Sequence, residues 1–382
     1  MNATRPFAAK DLPAGIRARI VENVNGLDMH ILEAGYEDTS RPALLLLHGF
    51  PELAYSWRKV MGPLAAAGYH VIAPDQRGYG RTSGWDSEYD GELESYQIPN
   101  LVADIEALAA TLDRRSFVGV VGHDYGSSVA AYCALMRPDL FQTVTLMSAP
   151  FSGPPKTADL PKTKIHDDLA ALPRPRKHYH AYYSTRPANN DMQFCPQGVH
   201  NFLRAYYHHK SADLPCNKPF PLASWTAGEL AKMPTYYIMD RDCTMAETVA
   251  PHMPSPDEIL QCGWLTDVEL EIYAREYRRT GFQGGLQWYR CATSGAQNAA
   301  LSAYERGRIE IPACFIAGAS DWGVNQRPGA FDAMQDNACA NMVACHLIDG
   351  AGHWVQQEQP EMVTKLLLEF LSKFSISETK GT

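Results

Sequence analysis

The sequence predicts an α/β protein built around a mostly parallel sheet, and three observations lead to this fold class. Short apolar runs alternate with helical patterns as far as Pro150, the order expected of buried parallel strands joined by helices. The same alternation resumes near residue 311 and continues to the last predicted helix. The stretch between them is rich in proline and has no clear buried strand, so we expect it to be a separate, mainly helical insertion.

The first core segment begins with a hairpin, since two strand-like stretches, 16–22 and 28–33, flank the turn dipeptide Asn25-Gly26. Residues 43–47 are the run ALLLL, which is typical of a strand buried on both faces. Residues 98–112 repeat apolar side chains at helical spacing. The other elements predicted here are a helix at 57–67, strands at 71–74 and 117–121, a helix that ends at Met136 and a strand at 144–147.

In the insertion, Thr266 and Glu269 have the spacing of a capping box, which predicts a helix at 267–279 that ends before Gly281. The core then resumes with strands at 311–317 and 342–348 and a helix near 358–374. We therefore predict an α/β core made of residues 1–151 and 309–382, and a mainly helical cap domain made of residues 152–308.

Composition and charge exclude several classes of function. The chain has 382 residues and a formal net charge of −9 without a local basic stripe, so nucleic acid is not an expected partner. Its nine cysteines are scattered singly, which argues against a disulfide framework or a zinc site, and we predict neither a metal nor a cofactor. No apolar stretch has the length of a signal peptide or a membrane span. We therefore expect a soluble cytoplasmic protein, and the sequence is compatible with a homo-oligomer.

A turn with a carboxylate at its tip follows the strand at 117–121. The sequence there is Gly122-x-Asp124-x-Gly126, directly before a helix. Glycines on both sides permit a sharp strand-to-helix turn that exposes the middle side chain, as nucleophiles require. Taken alone, this pattern fits an ordinary turn equally well.

Two further residues follow strand ends in the second core segment. Asp321 comes after the strand at 311–317, and His353 comes after the strand at 342–348. Because open α/β sheets place their sites at the carboxyl ends of the strands, we expect Asp124, Asp321 and His353 to lie together. Their chain order, nucleophile then acid then histidine, is that of a known catalytic triad. We predict Asp124 as nucleophile, His353 as general base and Asp321 as the residue that orients His353.

Five motifs together resemble the α/β-hydrolase superfamily, specifically its epoxide hydrolase branch. They are HGFPE, PDQRGYGRT, GHDYG, GASDW and GAGHW, and they span both core segments. The resemblance implies the α/β-hydrolase fold with a helical cap inserted in it. It also implies an oxyanion hole made by the backbone N–H groups of Phe50 and Tyr125, and a substrate pocket that includes Pro51, Trp322 and Trp354.

An aspartate nucleophile restricts the chemistry. A carboxylate that attacks an alkyl carbon forms an ester whose acyl carbon belongs to the enzyme, and water activated by a histidine can then hydrolyse that ester. This suits epoxide opening and dehalogenation rather than peptide hydrolysis. The two reactions differ in the leaving group, because an alkoxide needs a general acid and a halide does not.

Epoxide hydrolases of this branch use two tyrosines of the cap for that task. The segment at 281–290 resembles the one that carries the second tyrosine, which matches Tyr289. The segment at 178–183 resembles the one that carries the first; Tyr179 matches, and Tyr182 or Tyr183 remains open if the register differs. The surplus length of the cap lies around 215–256.

We therefore predict an epoxide hydrolase that takes a small apolar epoxide and water and releases a vicinal diol through a covalent alkyl-aspartate ester. The alternative is a haloalkane or haloacid dehalogenase with the same triad. Tyr125 argues against it, because fluoroacetate dehalogenases carry Arg after the nucleophile and haloalkane dehalogenases usually carry Trp. A non-catalytic relative that only binds a ligand is the other class, and it would typically have lost a triad member.

Overall fold

The computed structural model describes residues 5–156 and 164–374, and the fold is given for these residues. The strands are β1 (Ile16–Val24), β2 (Leu27–Ala34), β3 (Ala43–Leu47), β4 (His70–Pro74), β5 (Gly119–His123), β6 (Val144–Met147), β7 (Arg176–His178), β8 (Ile238–Asp240), β9 (Ala313–Gly318) and β10 (Met342–Ile348).

The helices that surround or interrupt these strands are α1 (Arg58–Ala66), α2 (Ile98–Thr111), α3 (Tyr125–Met136), α4 (Ile165–Ala170), α5 (Tyr179–Tyr183), α6 (Pro187–Gln193), α7 (Gly198–Lys210), α8 (Ala227–Leu230), α9 (Met245–Val249), α10 (Pro256–Gln261), α11 (Asp267–Thr280), α12 (Gln283–Ser294), α13 (Ala296–Leu301), α14 (Ala330–Ala333), α15 (Val355–Glu358) and α16 (Pro360–Leu371). Short 3₁₀ or π turns lie at Ala9–Asp11, Ala54–Trp57, Glu94–Tyr96, Ala250–His252, Ser302–Tyr304, Trp322–Val324 and Met334–Ala338. None of the helices in the described residues is both long and apolar enough to cross a bilayer.

Eight strands form one sheet in the order β1-β2-β4-β3-β5-β6-β9-β10. The pairs β1–β2 and β2–β4 are antiparallel, and every other pair in this sheet is parallel. The central strands β3, β4, β5, β6 and β9 are buried along their whole length because helices cover the sheet, with α1 packed on α16 and α2 on α3. The predicted α/β class with a mostly parallel sheet is confirmed.

Most predicted elements are present with small shifts. The strand expected at 117–121 is β5 at Gly119–His123, and the helix expected near 358–374 is divided into α15 and α16, the second of which begins at Pro360. The insertion differs from the expectation because it contains the antiparallel pair β7–β8. Each of these strands has only three residues, which is too short to produce a recognisable alternation in the sequence.

Helices α4–α13 lie between β6 and β9 in the chain and rest on the loops that follow the sheet strands. The Arg58 guanidinium pairs with Glu269 of α11 at 2.8 Å, and Arg81 pairs with Glu276 at 2.6 Å. The start of α12 touches the loop after β4 backbone to backbone, since a Cβ added to Gly284 would lie 2.0 Å from the Gly78 carbonyl oxygen. Glycine is therefore required at this contact.

Candidate active site

Asp124 lies on a sharp turn between β5 and α3. Its φ of 54° and ψ of −119° are uncommon for a residue with a side chain. Both flanking glycines are necessary, because a Cβ on Gly122 would lie 2.1 Å from Gly126 O and one on Gly126 would lie 2.4 Å from Leu47 O. The turn expected from the glycine pattern is present, and it presents the carboxylate at the carboxyl edge of the sheet.

The two oxygens of the Asp124 carboxylate have different surroundings. Oδ1 accepts the backbone N–H of Phe50 at 3.0 Å, whereas Oδ2 lies 3.4 Å from Nε2 of His353. Burial alone would raise the pKa of Asp124, but the hydrogen bond and charge of His353, followed by the charge of Lys210, hold it well below its ordinary value. The side chain is therefore an anion with one oxygen fixed and one oxygen towards the histidine.

His353 is held by two side chains on its other ring nitrogen. Nδ1 lies 3.0 Å from Oδ1 of Asp321 and 2.9 Å from Oγ of Ser148. The Asp321 carboxylate also accepts the backbone N–H of Gly323, at 2.7 Å. All three side chains are almost completely buried. The structure thus brings together Asp124, Asp321 and His353 as their places after strand ends predicted, and it adds Ser148.

A cavity of about 540 Å³ opens above Asp124 and is lined by Tyr179 of α5 and Tyr289 of α12. The centres of the two phenol rings are 5.9 Å apart, and the Tyr179 hydroxyl donates to Gln326 Oε1 at 3.2 Å. Burial and the nearby charge of Asp124 raise the pKa of both phenols well above the ordinary value, so both keep their protons.

The two other candidates for the first tyrosine are directed elsewhere. The Tyr182 hydroxyl donates to Asp191 at 3.1 Å, and the Tyr183 hydroxyl donates to that of Tyr206 at 3.2 Å. Neither of them lines the cavity. Of the three candidates, the geometry favours Tyr179.

The backbone donors expected to form the oxyanion hole, those of Phe50 and Tyr125, lie next to the Asp124 carboxylate or directly follow it in the chain. Phe50 donates to Asp124 Oδ1, as described. Tyr125 is the first residue of α3, where the backbone N–H groups have no partner within the helix. The Tyr125 side chain makes a separate contact, in which its phenol hydroxyl donates to the backbone carbonyl of Trp288 at 2.9 Å.

The expected pocket residues Pro51, Trp322 and Trp354 are not among the residues that line this cavity, and their place in the substrate pocket stays a prediction. Trp354 is completely buried, stacks on Tyr207 and donates its indole N–H to the Tyr207 carbonyl at 2.8 Å. Trp322 packs edge-on against Phe220. Besides those already named, the residues around the cavity include Ser128, Tyr132, Phe151, Lys156, His180, Gln297, Asn298, Leu301 and Arg327.

A buried polar chain that the sequence did not predict joins three loops of the site. Glu52 accepts the backbone N–H of Gly49 at 2.9 Å and lies 2.6 Å from Nδ1 of His123, whose Nε2 lies 2.6 Å from the His353 carbonyl oxygen. Burial would raise the pKa of Glu52, but the charge and hydrogen bond of His123 lower it. Glu52 and His123 stand inside the motifs HGFPE and GHDYG, and that was the only signal available for them.

The backbone of His353 is also tied to the inserted segment. Its N–H donates to the carbonyl of Lys210, the last residue of α7, at 2.9 Å. The Lys210 side chain is buried, and its ammonium lies 5.3–5.5 Å from the ring centres of Tyr206, Tyr236, Tyr237 and Trp354. Across residues 5–156 and 164–374, no three His, Cys, Asp or Glu side chains are grouped so as to hold a metal ion.

Comparison with known proteins agrees with this arrangement. The sequence profile of the α/β hydrolase fold matches residues 42–181. Epoxide hydrolase A of Mycobacterium tuberculosis is 33% identical over 93% of this chain and 97% of its own length. An epoxide hydrolase from an endophytic Streptomyces superposes with a TM-score of 0.75 at 30% identity, covering 94% of this chain and 96% of the other. Potato epoxide hydrolase I superposes with a TM-score of 0.72 at 28% identity, covering 94% of this chain and 100% of the other.

The mostly parallel sheet, the sharp turn at Asp124 and the histidine after a strand end define an α/β hydrolase. Within this class the carboxylate at the turn sets the chain apart from serine hydrolases, and the similarity extends over nearly its whole length. The chain belongs to the epoxide hydrolase family.

Proposed function

We propose that this protein hydrolyses epoxides to vicinal diols through a covalent ester on Asp124. The observation that carries the proposal is the single cavity that holds an ionised carboxylate together with two protonated phenols, Tyr179 and Tyr289. A nucleophile for carbon and two donors for the ring oxygen are the groups that this ring opening needs.

In the first step, Oδ2 of Asp124 attacks an epoxide carbon and forms the ester bond. The bond between that carbon and the ring oxygen breaks, and its electron pair goes to the oxygen. Tyr179 and Tyr289 stabilise the resulting alkoxide by hydrogen bonds; one of the two phenols gives it a proton, and the phenolate regains a proton from solvent water. The Phe50 N–H keeps Oδ1 in place while Oδ2 reacts.

In the second step, Nε2 of His353 takes a proton from a water molecule whose oxygen attacks the acyl carbon of Asp124. Negative charge then develops on the oxygen next to Phe50, where the backbone N–H groups of Phe50 and Tyr125 stabilise it. Collapse of this intermediate breaks the ester; His353 returns its proton to the leaving alkoxide, the diol is released, and Asp124, after losing a proton to solvent water, is again a carboxylate. Asp321 supports the positive charge that His353 carries during the step.

We propose further that residues 152–308 act as the cap of the site and that residues 1–151 and 309–382 form the core. The cap would supply both tyrosines, since α5 and α12 belong to it. We propose a small epoxide, because the cavity volume lies in the range of small-molecule sites. The expectation of a purely apolar substrate has less support, because Gln297, Asn298 and Arg327 are among the lining residues.

Dehalogenation is the second candidate, and the indole groups argue against it. A halide leaving group is stabilised by N–H donors, yet the indole N–H groups of Trp354 and Trp288 donate to Tyr207 O and Arg77 O. Within the described residues, the two buried indole N–H groups without a partner, those of Trp57 and Trp322, belong to residues that do not line the cavity. We also propose a cytoplasmic location and a homo-oligomeric state. All nine cysteines are free thiols, which supports the reducing compartment that the first of these proposals implies.

The decisive experiment offers the purified protein an aryl epoxide and a haloalkane of similar size, and measures diol and halide release. We expect diol release only, and complete loss of it in the Asp124→Ala variant. A single turnover in ¹⁸O-water should leave the label in the protein and unlabelled oxygen in the diol. Halide release at a higher rate than diol release, or label in the first diol formed, would overturn the proposal.

A further inference from the structure

Ser148 directly follows β6, and its backbone has an uncommon conformation there. Its φ is 68°, in the left-handed region that few residues other than glycine occupy, and its side chain is completely buried. Its backbone N–H donates to Ile316 O of β9 at 3.1 Å, which fixes it at the carboxyl edge of the sheet. A strained, buried polar residue at this edge is a candidate for a functional role.

The Ser148 hydroxyl touches both the acid and the base of the site. Its Oγ lies 2.5 Å from Oδ2 of Asp321 and 2.9 Å from Nδ1 of His353. The third side of this triangle is the 3.0 Å contact between Nδ1 and Oδ1 of Asp321. Asp321 therefore uses both oxygens in the triangle, one towards the hydroxyl and one towards the imidazole.

The chemistry of these groups decides where the protons are. An ionised carboxylate only accepts hydrogen bonds, so the single Ser148 hydroxyl proton is donated to Asp321. The Ser148 oxygen is then an acceptor, and Nδ1–H of His353 is shared between it and Asp321 Oδ1. This arrangement keeps a proton on Nδ1, so that Nε2, which lies 3.4 Å from Asp124 Oδ2, can accept a proton from water once Asp124 carries the ester.

We propose that Ser148 is a positioning residue for hydrolysis of the alkyl-enzyme ester, because it holds the His353 ring in the orientation and tautomer in which Nε2 accepts a proton from water. The inference rests on the proposed function and concerns its second step. Ser148 acts through His353 and Asp321, and it is not among the residues that line the cavity.

The hydroxyl is also suited to the charged state of the base. When His353 is positively charged, its Nδ1–H has two acceptors, Ser148 Oγ and Asp321 Oδ1. Together they hold the imidazole ring beside Asp321. Burial alone would raise the pKa of Asp321, but the charge and hydrogen bond of His353 and the hydrogen bonds from Ser148 and Gly323 lower it. The counter-charge thus persists although the Asp321 side chain is buried.

Two substitutions separate this role from a packing role. Ser148→Ala removes the oxygen and keeps the Cβ, whereas Ser148→Gly also removes the backbone strain, since glycine readily adopts a φ of 68°. Ser56→Ala is the matched control, because it removes another buried hydroxyl whose contact, 2.8 Å to Tyr273, involves no residue of the triad. Stopped-flow mixing with styrene oxide gives separate rates for ester formation and ester hydrolysis.

We expect both Ser148 variants to hydrolyse the ester about tenfold more slowly, which corresponds to one lost hydrogen bond in a buried network, and to form it at the wild-type rate. The downfield proton resonance of His353 Nδ1–H should shift in both variants and stay unchanged in Ser56→Ala. Wild-type ester hydrolysis in both variants would overturn the proposal, as would equal slowing of both steps. If the wild-type enzyme forms no ester at all, the proposed function fails instead, so the two failures are distinguishable.

Discussion

At the scale of single residues, His353 takes no part in the first step of the proposed mechanism. His353→Gln should form the alkyl ester at nearly the wild-type rate and hydrolyse it about 10²–10⁴-fold more slowly, because a general base contributes that much. Mass spectrometry of the intact protein should then show the added mass of the epoxide. His346→Gln, on the partly exposed strand β10, is the control and should turn over normally. An unmodified His353→Gln protein would show that the residue acts earlier.

The pair of phenols predicts a second residue-level result. A lost donor to developing charge typically slows a reaction by about 10²–10³-fold where it acts alone. Because Tyr179 and Tyr289 would share one oxygen, each Phe variant should lose less than this in the alkylation rate, and the double variant should lose considerably more. The rate of ester hydrolysis should change little.

Tyr182→Phe is the matched control for the phenols, since its hydroxyl contacts Asp191 and lies outside the cavity. Pre-steady-state quenching of tryptophan fluorescence reports the alkylation rate. If the double Phe variant alkylates at almost the wild-type rate, the two tyrosines do not assist the leaving group.

At the scale of secondary-structure elements, the contact between Gly284 and Gly78 sets the position of α12 and hence of Tyr289. Alanine in a helix is normally more stable than glycine by about 1 kcal/mol. At Gly284 the added Cβ would meet a backbone oxygen, so Gly284→Ala should destabilise the protein by about 1–3 kcal/mol and slow alkylation. Chemical denaturation and stopped-flow kinetics measure the two effects. Gly228→Ala is the control, because a Cβ on that helical glycine of α8 meets nothing; equal behaviour of the two variants would contradict the prediction.

Strand β2 contributes a dependence of stability on pH. Burial would raise the pKa of Glu33, but hydrogen bonds from His70 and Arg19 and the charges of Arg19 and Arg17 lower it to about 2, against 4.5 for the free group. Because the folded pKa is the lower one, the folded state is stabilised above pH 4.5 and loses that stabilisation as the pH falls towards 2. The free energy of unfolding falls by about 3 kcal/mol at most over this range, since Arg17 and Arg19 are partly exposed and solvent weakens their effect.

Glu33→Gln should therefore show a flatter decline in the free energy of unfolding between pH 4.5 and 2 than the wild type. Urea titrations at several pH values within that range measure it. Glu22→Gln, an exposed carboxyl on β1, provides the comparison and should follow the wild type. A parallel decline in Glu33→Gln and the wild type would mean that other carboxyls dominate acid unfolding.

Strands β3 and β6 are buried along their whole length and have the bounds predicted from their apolar runs, because burial dictates every residue in such a strand. Strand β10 also has its predicted bounds, although it is partly exposed. The triad could be predicted because each member follows a strand end and their chain order is that of a known triad. Ser148 also follows a strand end, but no sequence pattern marks its contact with His353, 205 residues away, or that of Glu52 with His123, 71 residues away. Only the folded chain brings such buried polar residues into contact.

At the scale of the whole molecule, buried polar contacts join the inserted segment to the core. The Arg58 side chain, almost completely buried in α1, bonds to Glu269 and to the Trp264 carbonyl of the insertion and to Gln357 of the core. Breaking such contacts would leave charges unpaired, so we expect the protein to unfold in a single cooperative transition. Far-UV circular dichroism and tryptophan fluorescence should give the same midpoint. Earlier melting of the helices of the insertion, with the sheet intact, would contradict this.

The hydrogen bond between the His353 N–H and the Lys210 carbonyl restricts how such enzymes can diversify. The loop that carries His353 rests on residues 210–212, since a Cβ on Gly352 would lie 2.5–2.6 Å from their backbone atoms. A chimera that receives residues 152–308 from a relative therefore also receives a foreign support for His353. New substrate preferences can arise through the side chains around the cavity, whereas the turn at 210–212 and the loop at 350–353 have to be inherited together.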